Sequence, residues 1–252
     1  MSLQIAGFSH SIQKFHEVIT VTQTSIAQVA YDCILSSAVF IPSALITAAF
    51  MQERFKRLLW HGTIGGISIF VVSRLAIRIL RLKNRFEQWI PSAILAVGLF
   101  NIQSLIHELG HVLAGTILLQ RPKVVITIIP FFGGNTKFIP MTVATAWKNL
   151  KTQYAFLTIV ICGPLTTLGV SFFLLQWGIK ALEIHPEGGR IAICAAIIDI
   201  LFHVRFAISA LHISPTALQH DFVAIRTLAG IHPLICGSVI LGSAALFAYI
   251  PK

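Results

Sequence analysis

The chain has 252 residues, of which 56% are hydrophobic and 11% are charged, and its mean hydropathy is +0.82. In soluble domains about a quarter of the residues are charged, so this composition excludes an ordinary soluble protein and predicts a polytopic membrane protein. The net charge of +10 does not indicate a nucleic-acid partner. Basic residues such as Arg54, Lys56 and Arg57 flank apolar segments, where we expect them to anchor helices at the headgroups of a lipid bilayer.

The hydropathy along the chain predicts an all-α polytopic membrane protein, a bundle of about six transmembrane helices with one short β-hairpin. Residues 1–30 are mixed and polar and lack the pattern of a cleavable signal peptide, so we expect an N-terminal extramembrane segment there. Accessory transmembrane helices are expected within residues 31–88, one over residues 31–51 and a shorter one over about residues 58–73. The four cysteines form no Cys-x-x-Cys pair, which indicates neither a disulfide framework nor a thiolate zinc site.

The third predicted helix, residues 89–119, carries the sequence His-Glu-Leu-Gly-His in its second half. Ionisable side chains at membrane depth are costly and usually belong to a functional site. His107 and His111 are four residues apart on one face of a helix, so both imidazoles can bind one metal ion. Glu108 is rotated by about 100° from His107, too far for an easy ligand but within reach of a metal-bound water. This is the arrangement of a zinc hydrolase in which Glu108 is the general base.

A β-hairpin is predicted directly after this helix. Residues 124–129 are mostly β-branched, and a second short run ends at residue 139, with the sequence Pro-Phe-Phe-Gly-Gly-Asn between them. The exposed edge of such a strand can hold an extended peptide by main-chain hydrogen bonds, which makes Gly133, Gly134 and Asn135 candidate substrate-binding residues. A hairpin that only connects two helices at the membrane interface fits the sequence equally well.

Further membrane segments follow the hairpin. Gly163 and Pro164 lie inside the next apolar segment, where we expect a kink or a close helix contact. We expect residues 89–230 to form the core of the protein and residues 231–252 to form a C-terminal transmembrane region. The expected segments are a helix over residues 153–180, a polar loop over 181–190, a helix over 191–213, a helix from about residue 216 and a last transmembrane helix over 233–249.

A catalytic zinc site of this kind needs a third protein ligand, and the chain is sparing with carboxylates. Asp199 and Asp221 are the candidates in the predicted membrane region. Asp199 has His203 one turn away and Arg205 nearby, so a structural ion pair explains it adequately. Asp221 follows a segment broken at Pro215, and non-helical backbone can line a polar cavity at membrane depth. The residues therefore favour Asp221 and leave Asp199 open.

From the third helix onwards the chain resembles the site-2 protease family of intramembrane zinc metalloproteases. The resemblance rests on four motifs in the family's order: His-Glu-x-x-His at residues 107–111, Gly-Gly-Asn-Thr at 133–136, Cys-Gly-Pro-Leu at 162–165 and a proline loop followed by Asp221. The resemblance covers roughly residues 89–230 and excludes the first two helices. It implies that zinc is held by His107, His111 and Asp221, that Glu108 activates the water, and that the hairpin holds an unwound substrate.

The chain departs from the family pattern around the third ligand. The family's loop asparagine is His212 here, the leucine before the aspartate is His220, and the glycine after it is Phe222. We expect His212 to contact substrate, where it could stabilise an oxyanion, or to cap the loop. His220 is a competing candidate for the third ligand.

We expect a multi-pass integral membrane protein, located in the cell membrane. The resemblance implies a zinc endopeptidase that cleaves peptide bonds in or near transmembrane segments of other proteins. An alternative is a divalent-metal transporter, for which Asp199 and His203 supply a ligand pair, although the hairpin and the few carboxylates disfavour it. A di-iron oxygenase requires several His-rich motifs, and the chain contains one. A purely structural cluster of His107, Glu108 and His111 is the remaining alternative.

Overall fold

The computed structural model of the chain describes residues 26–79, 85–139, 142–144, 147 and 149–249. Residues 1–25 of the predicted N-terminal extramembrane segment lie outside the described residues, whereas residues 26–30 already belong to the first helix. The helices and strands are α1 (Ile26–Ala48), α2 (Glu53–Ile79), α3 (Trp89–Leu118), β1 (Lys123–Ile129), β2 (Gly133–Ile139), α4 (Thr152–Ala181), α5 (Pro186–Ser209), α6 (Asp221–Ala229) and α7 (Pro233–Tyr249), with a short 3-10 helix (Arg85–Gln88) before α3.

Helices α1 to α5 are each long and apolar enough to cross a membrane. Helices α6 and α7 meet at a bend of 116° and pass the same test only as a pair, so the described residues offer five or six candidate spans. The predicted helical bundle with one β-hairpin is confirmed at this level, and the architecture is consistent with a multi-pass membrane protein. The second span is longer than the 16 residues expected from the sequence, since α2 has 27 residues.

The predicted polar loop over residues 181–190 is wrong for most of its length. Helix α5 begins at Pro186, whose fixed φ suits the first position of a helix. Gly189 then lies in the contact between α4 and α5, where an added Cβ would come within 2.8 Å of the carbonyl oxygen of Gly178. The glycine pair at residues 188–189 therefore permits close helix packing and does not mark a turn.

Helices α3, α4 and α5 form the centre of the fold and pack on one another. In their most apolar windows, 56% of the α3 residues and 50% of the α5 residues are buried, compared with 11% for α2. Helix α2 is therefore peripheral, with most of its surface facing away from the protein. Helix α6 packs against α4, and its Phe222, Val223 and Ala224 are buried in the same apolar cluster as residues of α4 and α5.

An ion-pair network attaches α1 and α2 to the core. Asp32 on α1 is fully buried and pairs with Arg74 and Arg78 of α2, at 3.3 Å and 2.5 Å. Arg74 also lies 3.5 Å from Glu187 at the start of α5. A buried carboxylate requires such partners, so this network fixes the accessory helices at one end of the bundle.

The β-hairpin lies against α3 and is held at both its tip and its outer strand. Strands β1 and β2 pair antiparallel, with Lys123 opposite Ile139 and Ile129 opposite Gly133. At the tip, Phe131 adopts a positive φ of 62° and its backbone N–H donates to Oδ1 of Asn101 on α3, at 2.9 Å. On the outer strand, the N–H of Ile128 donates to the carbonyl oxygen of Phe50 at 2.9 Å. These contacts fix where β2 lies along α3.

Candidate metal centre

Helix α3 carries His107, Glu108 and His111 in its second half, where the helix is surrounded by α4, α5 and β2. Glu108 and His111 are buried and His107 is partly buried. All three side chains border one cavity, so polar groups that apolar lipid would exclude are collected in a single place.

Asp221, the first residue of α6, completes a cluster with the two histidines. Nε2 of His107 lies 2.9 Å from Oδ2 of Asp221 and 3.1 Å from Nε2 of His111, and Nε2 of His111 lies 3.5 Å from Oδ1 of Asp221. Among the described residues, these three are the group of His, Cys, Asp and Glu side chains that could hold one metal ion. The structure thus brings together the three residues predicted as ligands from the sequence.

Small residues allow α4 to approach this part of α3. A Cβ added to Gly163 would overlap the ring of His111 and come within 2.9 Å of Nε2 of His107. A Cβ added to Gly110 would come within 2.5 Å of the carbonyl oxygen of Cys162. The Gly163-Pro164 sequence therefore marks the place where the backbone of α4 passes directly beside the two imidazoles.

The contacts of Nδ1 in each imidazole determine whether Nε2 has a lone pair available for a metal ion. Nδ1 of His111 lies 2.7 Å from the carbonyl oxygen of Ile159, which can only accept, so Nδ1 carries the proton and Nε2 keeps its lone pair. Nδ1 of His107 lies 3.3 Å from Nε2 of His203. Both histidines therefore use Nδ1 for contacts within the protein and direct Nε2 to the cluster.

The three side chains of the cluster suit a tetrahedral zinc ion. With Zn–N and Zn–O distances of ~2.0–2.1 Å, tetrahedral coordination places neighbouring ligand atoms roughly 3.3 Å apart. The two Nε2 atoms are 3.1 Å apart, and each lies near one oxygen of Asp221: His107 at 2.9 Å from Oδ2 and His111 at 3.5 Å from Oδ1. Both carboxylate oxygens therefore face the pair of imidazole nitrogens at distances of this size. Two neutral imidazole nitrogens and a carboxylate are all electron-pair donors, and a cation between them removes their mutual repulsion.

Strand β2 holds the carboxylate of Glu108. The hydroxyl of Thr136 donates to Oε2 of Glu108 at 2.7 Å. A Cβ added to Gly134 would lie 2.7 Å from Oε1 of Glu108, so any larger residue at this position would displace the carboxylate. Phe138, two residues further along, packs where Gly115 leaves space on α3. The side chains at alternate positions of β2 thus face α3, and one of them contacts the predicted general base.

The cavity beside the cluster has a volume of about 430 Å³ and is bordered by every residue of β2. Phenylalanines of α3, α4, α5 and the hairpin also line it. Among the described residues, β1 is the one strand that pairs with β2, so the main-chain groups on the other edge of β2 have no strand partner. A peptide in the cavity could therefore reach both a free strand edge and Glu108. The phenylalanines that line the cavity are Phe100, Phe132, Phe138, Phe156, Phe202 and Phe206.

The segment that leads to Asp221 is held by α6 itself. Residues 211–220 form turns and bends, so the helix predicted from about residue 216 begins at Asp221 instead. The guanidinium of Arg226 donates to the carbonyl oxygens of Ala210 and Ile213, at 2.6 Å and 3.0 Å. The hydroxyl of Thr227 donates to the carbonyl oxygen of Pro215 at 3.2 Å. These bonds tie the start of the segment to the helix that carries the aspartate.

The other candidate ligands lie outside the cluster. Asp199 accepts a hydrogen bond from Ser171 at 2.7 Å, and its Oδ2 lies 3.5 Å from Nδ1 of His203. The ring of His220 stacks on Phe206 with a centroid distance of 3.8 Å. Neither residue belongs to the group that could hold one ion.

Three of the four predicted substrate-binding residues border the cavity, and the fourth does not. Gly133, Gly134 and Asn135 all border the cavity. His212 is exposed, and it is not among the residues that border the cavity. A role for His212 in substrate binding or oxyanion stabilisation stays a prediction.

Sequence reasoning missed two residues that support the cluster. From the sequence, His203 is expected to form an ion pair with Asp199 or to share a transported metal ion with it, yet its Nε2 faces His107. Arg226 received no role, yet it binds the segment before Asp221. The sequence carries a weak signal for each: an intramembrane histidine for the first, and a basic residue five positions after the candidate ligand for the second.

Comparison of the chain with models of protein families, with curated proteins and with solved structures finds no match. The functional interpretation therefore rests on the motifs of this sequence and on the geometry of its cluster.

Proposed function

We propose that the chain is an intramembrane zinc endopeptidase that cleaves other membrane proteins in or near their transmembrane segments. The observation that carries the proposal is the convergence of His107, His111 and Asp221 beside Glu108, inside a helical bundle apolar enough for a membrane. Two imidazoles, one carboxylate ligand and a nearby free carboxylate are the side chains that a metallohydrolase needs.

In this proposal Nε2 of His107, Nε2 of His111 and the carboxylate of Asp221 hold the zinc ion. When bound, the zinc supplies an activated water and polarises the carbonyl of the peptide bond. Glu108 takes up the proton of the attacking water and transfers it to the leaving amine. Thr136 occupies Oε2 of Glu108 and so leaves Oε1 as the atom available for this proton.

The substrate would bind as an extended strand. A transmembrane helix shields its peptide bonds by internal hydrogen bonds, so it must unwind locally before hydrolysis. Strand β2 borders the cavity along its whole length and can offer main-chain groups to the unwound segment. Gly133, Gly134 and Asn135 would contact the substrate there.

The order of the motifs supports a relationship to the site-2 protease family. The His-Glu-x-x-His helix α3, the hairpin, the Gly-Pro segment of α4 and Asp221 follow one another as in that family, and all four lie around one cluster. On this basis we place the protein in the cell membrane, with a transmembrane protein as its substrate.

Purified protein reconstituted in lipid vesicles tests the proposal. Single-span transmembrane peptides of varied sequence serve as substrates, and mass spectrometry detects new termini. We expect one zinc ion per chain, cleavage that a zinc chelator abolishes, and a rate that falls about 10²–10⁴-fold in the Glu108→Gln variant without loss of zinc. Glu53→Gln, at an exposed carboxylate on α2, is the matched control and keeps the wild-type rate. Cleavage at the wild-type rate by Glu108→Gln, or after zinc removal, contradicts the proposal.

A divalent-metal transporter is the second candidate function. The observation in its favour is that Asp199 and His203 border the same cavity as the cluster. A transporter requires a path of successive sites, however, and the described residues contain one group able to hold an ion. Zinc uptake into vesicles that contain the Glu108→Gln variant, without peptide cleavage by the wild type, would favour transport over proteolysis.

A further inference from the structure

We propose that His203 is a positioning residue that selects the metal-binding tautomer of His107. The proposal rests on the metal centre described above. Nε2 of His203 on α5 lies 3.3 Å from Nδ1 of His107 on α3, and the two rings have a centroid distance of 5.4 Å. The imidazole of His203 is 2% exposed, so no bulk water competes for either of its nitrogens.

The proton positions follow from the acceptors around His203. Its Nδ1 lies 2.9 Å from the main-chain carbonyl oxygen of Asp199 and 3.5 Å from Oδ2 of the same residue. A carbonyl oxygen and a carboxylate only accept, so Nδ1 of His203 carries a proton. In the neutral ring Nε2 is then an acceptor, and His107 must donate its Nδ1 proton to it. This leaves the Nε2 lone pair of His107 directed at Asp221 and His111.

The orientation of His203 depends in turn on residues that it contacts on its other side. Ser171 on α4 donates to Oδ2 of Asp199 at 2.7 Å, and both residues are buried. This bond fixes the carboxylate beside the ring of His203, and the ring in turn meets His107. Three helices thus contribute to the orientation of one ligand. Asp199 and His203 acquire a role at the centre that does not require them to bind metal.

His111 has a simpler arrangement, and the contrast indicates what His203 supplies. The Nδ1 of His111 donates directly to the carbonyl oxygen of Ile159 on α4. No described main-chain carbonyl accepts from Nδ1 of His107, and His203 occupies that position. Groups that hold the far nitrogen of a metal-bound imidazole typically change metal affinity by ~10–100-fold when removed.

Two substitutions separate positioning from packing. His203→Phe keeps a flat ring of similar size but removes both nitrogens. His203→Gln places an amide oxygen near the position of Nε2 and can accept the proton of His107. His185→Phe, at an exposed histidine before α5, is the matched control.

The experiment measures zinc affinity by competition with a chromogenic chelator, and the visible spectrum after cobalt substitution, on the full-length protein in detergent. Circular dichroism and thermal unfolding report folding of each variant. We expect zinc affinity about 10–100-fold weaker in His203→Phe, with a changed cobalt spectrum and wild-type helicity, and a recovery of most of this loss in His203→Gln. His185→Phe should match the wild type in all measurements.

The possible outcomes are distinct. Wild-type affinity and an unchanged cobalt spectrum in His203→Phe overturn the positioning role while leaving the proposed metal centre intact. An equal loss of affinity in both variants, accompanied by lost helicity or thermal stability, assigns His203 to packing and also overturns it. A wild-type protein that binds no zinc refutes the metal centre itself, and the inference falls with it.

Discussion

The two halves of the candidate metal centre are built in different ways. His107, Glu108 and His111 lie within five residues of a 30-residue helix, so the helix alone fixes their relative positions. Asp221 begins a helix of nine residues after a segment of turns, and tertiary contacts place it. The comparison shows that one half of the centre depends on local geometry and the other on the packing of α4, α5 and α6.

The largest effect is expected where α4 touches the helical half. Gly163→Ala adds a methyl group that overlaps the ring of His111, and such overpacking costs about 1–3 kcal/mol. When the overpacking destabilises the zinc-bound protein by this amount relative to the zinc-free protein, zinc affinity drops about 5–150-fold. A chelator competition titration measures the change.

Gly169→Ala is the matched control for this substitution. Gly169 lies on the same helix, and an added Cβ there meets no atom within 4 Å. We expect unchanged zinc affinity and a slightly higher thermal stability, since alanine favours the helix by about 0.5–1 kcal/mol. Equal zinc affinity in both variants would show that α4 does not limit the space around the imidazoles.

A smaller effect is expected in the half that depends on packing. Arg226→Met keeps an apolar stem but removes the hydrogen bonds to Ala210 and Ile213. The segment before Asp221 then gains freedom, and the entropy needed to order it lowers zinc affinity about tenfold. The same titration measures this loss. Arg205→Met, at an exposed arginine of α5, serves as control, and a loss of equal size there would contradict the assignment.

The smallest of these effects concerns the contact between the hairpin and the general base. Thr136→Val removes the hydroxyl that donates to Glu108 but keeps the shape of the side chain. We expect zinc binding to stay unchanged and the rate of peptide cleavage to fall about three- to tenfold, since the carboxylate loses one charge-assisted hydrogen bond. Thr127→Val on β1 is the matched control. If the wild type, Thr136→Val and Thr127→Val cleave at the same rate, Thr136 does not support the general base.

The same division explains how much the sequence could predict. The apolar spans, the hairpin and the face shared by His107 and His111 follow from local periodicity, and the helices and the hairpin are confirmed. The start of α5 was missed because Gly188 and Gly189 serve helix packing, which composition alone cannot distinguish from a turn.

The supporting residues were less accessible to sequence reasoning. The contact between His203 and His107 joins residues 96 positions apart, and the bonds from Arg226 depend on how the segment before α6 folds back. Neither follows from residue spacing along a single element. The partners of Asp199 also become visible only in three dimensions, where Ser171 and His203 contact it and Asp221 lies beside His107 and His111.

The most direct test of the account is the zinc content of two isosteric variants beside the wild type. After dialysis against micromolar zinc, we expect one zinc per chain in the wild type and in Asp199→Asn, and almost none in Asp221→Asn, because a neutral amide is a poor zinc ligand. Asp199→Asn keeps the main-chain carbonyl that binds His203, so its zinc remains. A protein that loses zinc with Asp199→Asn and keeps it with Asp221→Asn would contradict the proposed metal centre.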